Sequence, residues 1–400
     1  MKLIKRERYL QQLRDVEGVP DIKVITGVRR CGKSSLLEMF SDELRGRYPD
    51  ANFVCVDFSR LEYDSLKEYH ALNEYVEKHY VPGVKNFVFI DEAQLCPKFE
   101  LTVNSLHASG KYDIYITGSN AFLLGSDLAT LFTGRSFSIE VFPFSYSEYL
   151  QYHKMENSDS AFDSYLEDGG MSGSYLYKTR EAKLDYVADV FNTLILRDVK
   201  QKYGIRNMPL LDKLSDFLMD NISNPTSVRS LERGLKMSGE NVTNVTLGKY
   251  LSYLCNAFSF YRVRRYDIRG RRYLVTNDKY YLSDHSFRYA RLGKKDPDYG
   301  RILENIVAIE LLRRGYTIYS GELYEREVDF VAVKRDEKIY IQVARSIEQE
   351  STFLRETTPL LHIKDAYPKM LITRLKYPPY LHEGIKVTDI TNWLSRDKTI

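Results

Sequence analysis

The sequence predicts an α/β protein whose first third forms a parallel sheet with helices on its faces. Two observations indicate this class. Short β-rich apolar runs alternate with helical stretches, and a glycine-containing segment separates the first run from the first long helical stretch. The five runs expected to form strands are Ile22 to Gly27, Asn52 to Phe58, Asn86 to Glu92, Tyr112 to Ser119 and Arg135 to Phe142.

The composition is that of a folded protein with several domains. Of the 400 residues, 43% are hydrophobic and 28% are charged, so a sizeable core can form. The formal net charge of +3 does not by itself indicate a nucleic-acid-binding protein. The four cysteines lack paired spacing, the N-terminus is too charged for a signal peptide, and the apolar runs are shorter than the roughly 20 residues that span a bilayer. We therefore expect a cytoplasmic protein that contacts no membrane.

Changes of pattern along the chain predict four parts. Residues 1–145 carry the predicted parallel sheet. Residues 146–207 are helical and rich in tyrosine, and we interpret them as a helical lid. Residues 208–292 contain helix-like segments followed by two β-like runs, an order that suggests a winged helix. Residues 293–400 begin with a helical stretch and continue with strand-like runs, so we expect a second α/β domain.

A phosphate-binding loop is predicted between the first strand and the helix that follows it. The segment GVRRCGKS matches the eight-position phosphate-loop pattern. Its glycines let backbone amides point at a phosphate, and the following helix adds the positive end of its dipole. We expect Lys33 to neutralise phosphate charge and the Ser34 hydroxyl to bind Mg²⁺. The residues expected to bind ATP are Gly27, Val28, Arg29, Arg30, Cys31, Gly32, Lys33, Ser34 and Ser35.

Two acidic residues end the third predicted strand. The run NFVFIDE is apolar up to Asp91 and Glu92, which should lie at the carboxyl edge, where ligands of open α/β sheets bind. We expect Asp91 to hold Mg²⁺ through water. Glu92 is the candidate general base for the water that attacks the γ-phosphate. The sequence therefore predicts ATP and Mg²⁺ as ligands and ATP hydrolysis as the reaction.

Three further residues near the predicted sheet are candidates for catalysis. Ser119 and Asn120 follow the fourth strand and could sense the γ-phosphate; the alternative is a polar turn without that role. Arg135 opens the fifth strand, a place from which an arginine can reach the γ-phosphate bound to a neighbouring copy. The alternative for Arg135 is a surface or ion-paired arginine.

The motifs together resemble a known group of ATPases. GVRRCGKSSLL, FVFIDEAQ, YITGSNAFLL, TGR and VFPFSYSEYL resemble the prokaryotic AAA+-type ATPases of the archaeal-ATPase and STAND-related group. The later segments GGMSGSY and TLILRDVKQKYGIRN resemble the companion C-terminal region of that group, which has winged-helix and restriction-nuclease-like parts. The resemblance implies ATP binding, slow hydrolysis, and coupling to a DNA-related or defence-related output.

A basic hairpin is predicted in the third part of the chain. Six arginines accompany one acid, Asp267, and three tyrosines. Arginine donates two hydrogen bonds to one phosphate, and each neutralised phosphate releases counterions, so duplex DNA is a candidate partner. The preceding helix begins with Thr243, Asn244 and Lys249, a pattern typical of a recognition helix. The alternative is that the arginines pair with acidic neighbours and that the winged helix is a regulatory lid. The arginines are Arg262, Arg264, Arg265, Arg269, Arg271 and Arg272.

The C-terminal domain resembles the restriction-nuclease fold, with Glu304 and Asp329 as its acidic residues. An active site of that type has a carboxylate and a lysine two residues apart on one strand, where this sequence has Gln342 and Ala344. An amide binds Mg²⁺ less well than a carboxylate, and alanine supplies no cation for the attacking water. We therefore expect no nuclease activity, and the domain is either a retained binding scaffold or purely structural.

These observations predict a Mg²⁺-dependent ATPase whose nucleotide state controls engagement of DNA or of a protein partner, including self-assembly. The first alternative is a STAND-type switch that assembles with proteins and never binds DNA. The second alternative is an ATP-dependent nuclease. The salt dependence of DNA affinity separates the prediction from the first alternative, and nicking of a plasmid with Mg²⁺ or Mn²⁺ tests the second.

Overall fold

The computed structural model describes residues 3–118, 132, 134–237, 239, 242–270, 272–293 and 299–396, and of residues 194, 196 and 272–276 it describes the backbone alone. The chain divides into two compact units. The first comprises Met1–Val141 and Arg197–Gly204, and the second comprises Phe142–Leu196 and Ile205–Ile400. Each unit is therefore built from two separate stretches of the chain.

A five-stranded parallel sheet forms the centre of the first unit. Its strands are β1 (Ile22–Thr26), β2 (Asn52–Asp57), β3 (Asn86–Asp91), β4 (Asp113–Thr117) and β5 (Ser136–Glu140). The strand order is β2-β3-β4-β1-β5, and neighbouring strands are parallel. The parallel sheet predicted from the sequence is confirmed.

Helices cover this sheet. They are α1 (Glu7–Asp15), α2 (Lys33–Arg47), α3 (Tyr69–Lys78) and α4 (Phe99–Ala108). The strands β1 and β3 are buried along their whole length, as expected for inner strands of a sheet that is covered on both faces. Val24 on β1 and Ile90 on β3 are fully buried, and they share one core with Leu72 of α3 and Val103 of α4.

The carboxyl ends of the parallel strands lie at one edge of the sheet. Asp57 at the end of β2 pairs in register with Asp91 at the end of β3. Thr117 at the end of β4 pairs in register with Ile25, one residue before β1 ends. Because β4 lies between β1 and β3, its last residue stands between the phosphate loop and the acidic end of β3. At this edge the phosphate loop lies near Asp91, as the sequence predicts.

The second unit begins with helices. Ser145 caps the first of them through a capping box with Glu148, which satisfies free amides of the first turn. The helices, with α8 lying in the stretch that belongs to the first unit, are α5 (Tyr146–His153), α6 (Asp159–Asp168), α7 (Arg180–Thr193), α8 (Lys200–Tyr203), α9 (Met208–Asp220), α10 (Val228–Met237), α11 (Asn244–Asn256), α12 (Ser286–Leu292), α13 (Tyr299–Arg313), α14 (Glu350–Leu361) and α15 (Ile390–Ser395).

An eight-stranded mixed sheet forms the rest of the second unit. Its strands are β6 (Phe260–Asp267), β7 (Arg272–Leu282), β8 (Thr317–Leu323), β9 (Arg326–Lys334), β10 (Glu337–Val343), β11 (Lys369–Thr373), β12 (Tyr380–His382) and β13 (Ile385–Asp389). The order is β12-β13-β11-β10-β9-β8-β6-β7. Val331 of β9, Tyr340 of β10 and Leu371 of β11 pack with Leu360 of α14 in one core.

The predicted basic hairpin is present, but it belongs to this larger sheet. Strands β6 and β7 pair antiparallel, and β6 also pairs in parallel with β8 through Arg265 and Ser320. The hairpin is thus continuous with the C-terminal strands, whereas a winged helix would carry it as a separate wing. The boundaries expected after residues 207 and 292 fall within the second unit, and the four-part division stays a prediction.

The described helices are short for membrane spans. The longest of them, α2 and α13, have 15 residues each, which corresponds to about 22 Å at 1.5 Å per residue, against a hydrocarbon core of about 30 Å. Within the ranges that the structure describes, no helix has both the length and the apolar character needed to cross a bilayer.

Candidate nucleotide-binding site

The phosphate loop connects the end of β1 to the start of α2. Gly27 has φ 135° and Gly32 has φ 98°, conformations that favour glycine. At Gly27 space is also restricted, because a Cβ atom there would lie 2.0 Å from the carbonyl oxygen of Val141. The two glycines of the motif are therefore required by the backbone path of this loop.

The base of the loop is anchored by a residue that the sequence did not indicate. Arg6, which precedes α1 and is buried, donates a hydrogen bond from Nη1 to the carbonyl oxygen of Cys31 at 2.8 Å. The Cys31 thiol donates to the carbonyl oxygen of Val141 at 3.1 Å. Burial raises the pKa of this thiol, so it stays protonated and keeps its role as a donor. Both contacts fix the loop in its bend.

Lys33 is the first residue of α2, and its side chain folds back onto the phosphate loop. Its Nζ donates to the carbonyl oxygens of Gly27 at 3.0 Å and Val28 at 3.2 Å, and the residue is 5% exposed. The ammonium therefore lies against the loop whose amides would receive a phosphate. Ser34 and Arg30 are exposed, Ser35 and Arg29 are half-buried, and Val28 is buried.

Asp91 at the end of β3 is held close to Ser34. Its carboxylate accepts a hydrogen bond from the Thr117 hydroxyl, and it lines one cavity together with Ser34. Burial raises the pKa of Asp91, and the Thr117 and Ser34 hydroxyls oppose this effect only in part. A cavity of about 270 Å³ adjoins Ser34 and Asp91 and is lined on its other side by Asp57 and Arg60. Two oxygen ligands with open space beside them fit Mg²⁺, which keeps several waters and takes further oxygens from substrate phosphates.

Glu92 lies one residue beyond β3, where the chain turns. Its φ of 52° places it in the left-handed region, and its amide donates to Thr117 Oγ1 at 3.1 Å. Its carboxylate accepts from Gln94 Nε2 at 2.5 Å. Thr117 thus contacts both acidic residues of the motif, and the sequence analysis missed it. The hydroxyl residue ending the apolar run of β4 was the available signal.

The other catalytic candidates are placed differently. Ser119 and Asn120 lie outside the described residues. Arg135 is exposed and precedes β5, and its carbonyl oxygen accepts from the amide of Ile22 at the start of β1. It therefore lies at the amino edge of the sheet, opposite the phosphate loop of its own chain. A contact of Arg135 with a γ-phosphate could only be made to a site in another copy.

The candidate DNA-binding residues in the second unit are partly paired with acids. Arg262 donates to Asp278 at 2.6 Å and Arg265 contacts Glu322 at 3.0 Å. By contrast, Arg264 is exposed, and the exposed Arg269 lies over the ring of Tyr324. The candidate residues on α11 and its cap, Thr243, Asn244 and Lys249, are exposed. Arg271 and the side chain of Arg272 lie outside the described residues.

The acidic residues expected in the C-terminal domain surround a lysine that the sequence analysis did not single out. Lys279 of β7, which is 2% exposed, contacts Glu304 of α13 at 2.9 Å, Glu327 more closely, and Asp329 of β9 at 3.9 Å. Tyr281 donates to Glu304 at 2.6 Å. Burial alone would lower the pKa of Lys279, but the three carboxylates raise it above its ordinary value, so the ammonium stays charged.

Gln342 of β10 completes this cluster through its amide. Its Oε1 accepts from the amide of Asp329 at 2.8 Å, and its Nε2 donates to Glu356 at 3.0 Å. The acidic residues of the cluster and Gln342 line a cleft of about 640 Å³. In the described part of the chain no group of three or more His, Cys, Asp or Glu side chains is arranged to hold a metal ion. Ala344, the other position of the expected motif, is buried.

Comparisons with known proteins identify the class and then the family. Residues 19–150 match a family described as an AAA domain, and residues 159–298 match a domain of unknown function, DUF8612. Together with the phosphate loop, this match assigns residues 19–150 to the AAA+ ATPase class. An uncharacterized protein of Haemophilus influenzae is 37% identical over 398 residues, covering 98% of this chain and 98% of that protein. The chain belongs to the same family as this Haemophilus protein.

The chain also has weaker similarity to one further protein sequence and to solved structures. An uncharacterized protein of Methanocaldococcus jannaschii is 25% identical over 404 residues, covering 96% of this chain and 88% of that protein. The Aeropyrum pernix ORC1 protein in complex with DNA is 13% identical with a TM-score of 0.32, covering 75% of this chain and 95% of that chain. AMPPCP-bound DnaA from Aquifex aeolicus is 14% identical with a TM-score of 0.30, covering 61% and 85%. TM-scores this low carry no argument about function.

Proposed function

We propose that the chain is a Mg²⁺-dependent ATPase whose nucleotide state controls engagement of DNA or of a protein partner. The observation that carries the ATPase part is the meeting of Lys33, Ser34, Asp91 and Glu92 at one edge of the parallel sheet. Their contacts support one site, since Ser34 and Asp91 line the same cavity, Asp91 accepts a hydrogen bond from Thr117, and Thr117 accepts one from the amide of Glu92.

Each side chain of this edge has a role that follows from its position. The loop amides and Lys33 bind the β- and γ-phosphates, while Ser34 and Asp91 hold the metal between them. When bound, Mg²⁺ supplies charge neutralisation of the phosphate oxygens. Glu92 is the residue assigned to polarise the attacking water, because it follows Asp91 directly at this sheet edge, where its amide donates a hydrogen bond to Thr117.

Slow turnover is part of the proposal, and Gln94 gives a physical reason for it. The Gln94 amide donates to the Glu92 carboxylate at 2.5 Å. The carboxylate oxygen that accepts this hydrogen bond is occupied by the amide and is less available to accept a hydrogen bond from water. Turnover would then require the Gln94 contact to lengthen or break, which supports the slow rate that the resemblance implies.

Engagement of DNA is proposed through the exposed arginines of the β6–β7 hairpin. Arg264 and Arg269 carry charge at the surface, whereas Arg262 and Arg265 are neutralised by Asp278 and Glu322. The number of phosphates that the described arginines could contact is therefore smaller than the sequence predicts.

We expect the double replacement of Arg264 and Arg269 by alanine to weaken duplex binding about equally for all DNA sequences. Each lost phosphate contact should flatten the slope of log affinity against log salt by about 0.9. The measurement is fluorescence anisotropy of a labelled duplex across salt concentrations, in ATP and in ADP, with the Glu92→Gln protein as the ATP-bound form. The matched control is Arg265→Ala, whose guanidinium already pairs with Glu322. The same replacement at Arg271 and Arg272 completes the series.

Two outcomes would redirect this proposal. An unchanged affinity and slope in the arginine variants would favour the assembly switch without DNA, for which the hairpin ion pairs already provide support. Equal duplex affinity in ATP and ADP would mean that nucleotide does not control DNA engagement. Nicking of a plasmid in the presence of Mg²⁺ or Mn²⁺ would favour the nuclease alternative. The position of Lys279 argues against that alternative, because its ammonium already occupies the space among the carboxylates.

Self-assembly is proposed through Arg135, since the exposed start of β5 lies far from the phosphate loop of its own chain. We expect Arg135→Ala to lower hydrolysis in an assembly by at least about tenfold and to leave ATP binding by dilute protein unchanged. A mixture of Arg135→Ala and Glu92→Gln proteins should recover activity, because each supplies the group that the other lacks. Co-assembly without any recovered phosphate release would refute a role in trans.

A further inference from the structure

A short stretch far along the chain belongs to the nucleotide-binding unit. The chain leaves the second unit after Leu196, contributes Arg197–Gly204 to the first unit, and returns to the second unit at Ile205. This stretch, which we call the inserted segment, contains α8 and is entered through a π-helical turn at Leu194–Val199. Turns of this type are rare and occur often at functional sites.

The inserted segment brings a buried carboxylate to the phosphate loop. Asp198 is 3% exposed, and its Oδ1 accepts a hydrogen bond from Nη1 of Arg29 at 3.2 Å. Arg29 is the third residue of the loop, between its two glycines. Burial raises the pKa of Asp198, while Arg29 lowers it, and the charges of Glu92 and Lys33 also act on it. Asp198 is therefore within the electrostatic reach of the ATP site.

A bound triphosphate would compete with Asp198 for the same guanidinium. Arginine binds carboxylate and phosphate with the same fork of donors, and a triphosphate carries more negative charge than one carboxylate. If Arg29 turns toward the phosphate, Asp198 is left as a buried charge without its partner, which is unfavourable. The segment that carries Asp198 would then loosen, and both of its ends continue directly into the second unit.

We propose that Asp198 is a positioning residue of the ATP site and that its pair with Arg29 couples nucleotide binding to the order of the inserted segment. The proposal rests on the proposed ATP binding. It gives that activity a route to the second unit along the chain itself, through the residues on either side of the inserted segment.

The first test uses the wild-type protein and needs no variant. Amide hydrogen exchange of residues 197–204 is measured with and without an ATP analogue that has a β,γ-methylene bridge, in Mg²⁺. We expect faster exchange in this segment with the analogue bound, because Asp198 loses its partner. Protein that binds the analogue with unchanged or slower exchange in residues 197–204 overturns the coupling and leaves ATP binding intact. Protein that binds no analogue overturns the proposed function.

The second test measures analogue affinity by calorimetry in variants. Asp198→Asn should tighten binding by roughly fivefold, because Arg29 no longer has to leave a carboxylate. A residue with a purely structural role would weaken binding or leave it unchanged when replaced. The matched control is Asp189→Asn, an exposed residue of α7, which should have no effect.

A double-mutant cycle assigns the effect to the pair. In an Arg29→Met background, the Asp198→Asn change should alter affinity by less than about twofold, because the competition has already been removed. The same tightening in both backgrounds would show that Asp198 acts independently of Arg29 and would overturn the proposal. Weaker binding in folded Asp198→Asn protein, with folding checked by circular dichroism, would overturn it as well.

Discussion

Replacing Lys33 with alanine is expected to weaken ATP binding on the order of 100-fold, because the ammonium is a charged hydrogen-bond donor to the phosphates. Glu92→Gln is expected to leave binding unchanged and to lower turnover by roughly 10²- to 10⁴-fold. The difference arises because Lys33 contacts charge that is present in the ground state, whereas Glu92 acts on water during the reaction.

Calorimetry measures the binding of ATP, and phosphate release in Mg²⁺ measures turnover. Lys78→Ala and Glu74→Gln are matched controls, since both residues are exposed on α3. Removal of Mg²⁺ with a chelator should stop phosphate release in the wild-type protein. Full turnover by the Glu92→Gln protein would remove Glu92 from the mechanism, and tight ATP binding by the Lys33→Ala protein would contradict the assigned site.

Lys279→Met is expected to lower the free energy of unfolding of the second unit by about 3–5 kcal/mol. The side chain is 2% exposed and contacts Glu304, Glu327 and Asp329, so its removal leaves three partly buried carboxylates without a cation. Burial already raises the pKa of Glu304 and of Asp329. Loss of the ammonium should raise them further.

This loss of stability should depend on pH in a defined direction. A carboxyl group whose folded-state pKa is raised favours the folded protein while it is protonated, and that stability is lost as the pH rises through the folded-state pKa. The deficit of Lys279→Met should therefore be largest in alkaline solution and shrink as the pH falls toward about 4, the ordinary range of carboxyl groups.

Urea unfolding followed by tryptophan fluorescence measures this effect in the second unit, because the single tryptophan of the chain is Trp393 of α15. Lys386→Met is the matched control, an exposed lysine on β13 of the same sheet, and should change stability by less than about 0.5 kcal/mol. A similar small effect of Lys279→Met, or a deficit that grows in acid, would contradict the assigned role of the ammonium.

The nucleotide site was largely predictable because its residues are close in sequence to regular elements. The NFVFIDE run predicted both the buried strand β3 and the position of Asp91, since an apolar strand that ends in an acid must place that acid at the sheet edge. Thr117 was not predicted, because several polar residues follow the apolar run of β4 and the strand register decides which hydroxyl meets Asp91.

The second unit was less predictable because its contacts join distant parts of the sequence. Local alternation predicted the β6–β7 hairpin, but the pairing of β6 with β8 joins residues more than fifty positions apart and leaves no local signal. The position of Lys279 among the carboxylates could not be predicted for the same reason. The nuclease-type pattern places its lysine two residues after Gln342, at the position of Ala344, whereas here the ammonium of Lys279 reaches the carboxylates from β7.

Because each unit is built from two separate stretches of the chain, a single cut in the gene cannot separate the two units. A single cut after residue 141, or at residue 150 where the AAA-domain match ends, yields an N-terminal fragment without Arg197–Gly204, and hence without Asp198. A cut after residue 204 keeps that stretch but carries part of the second unit with it. Neither unit can therefore be exchanged as one contiguous piece, so recombination that keeps both units intact must transfer them together.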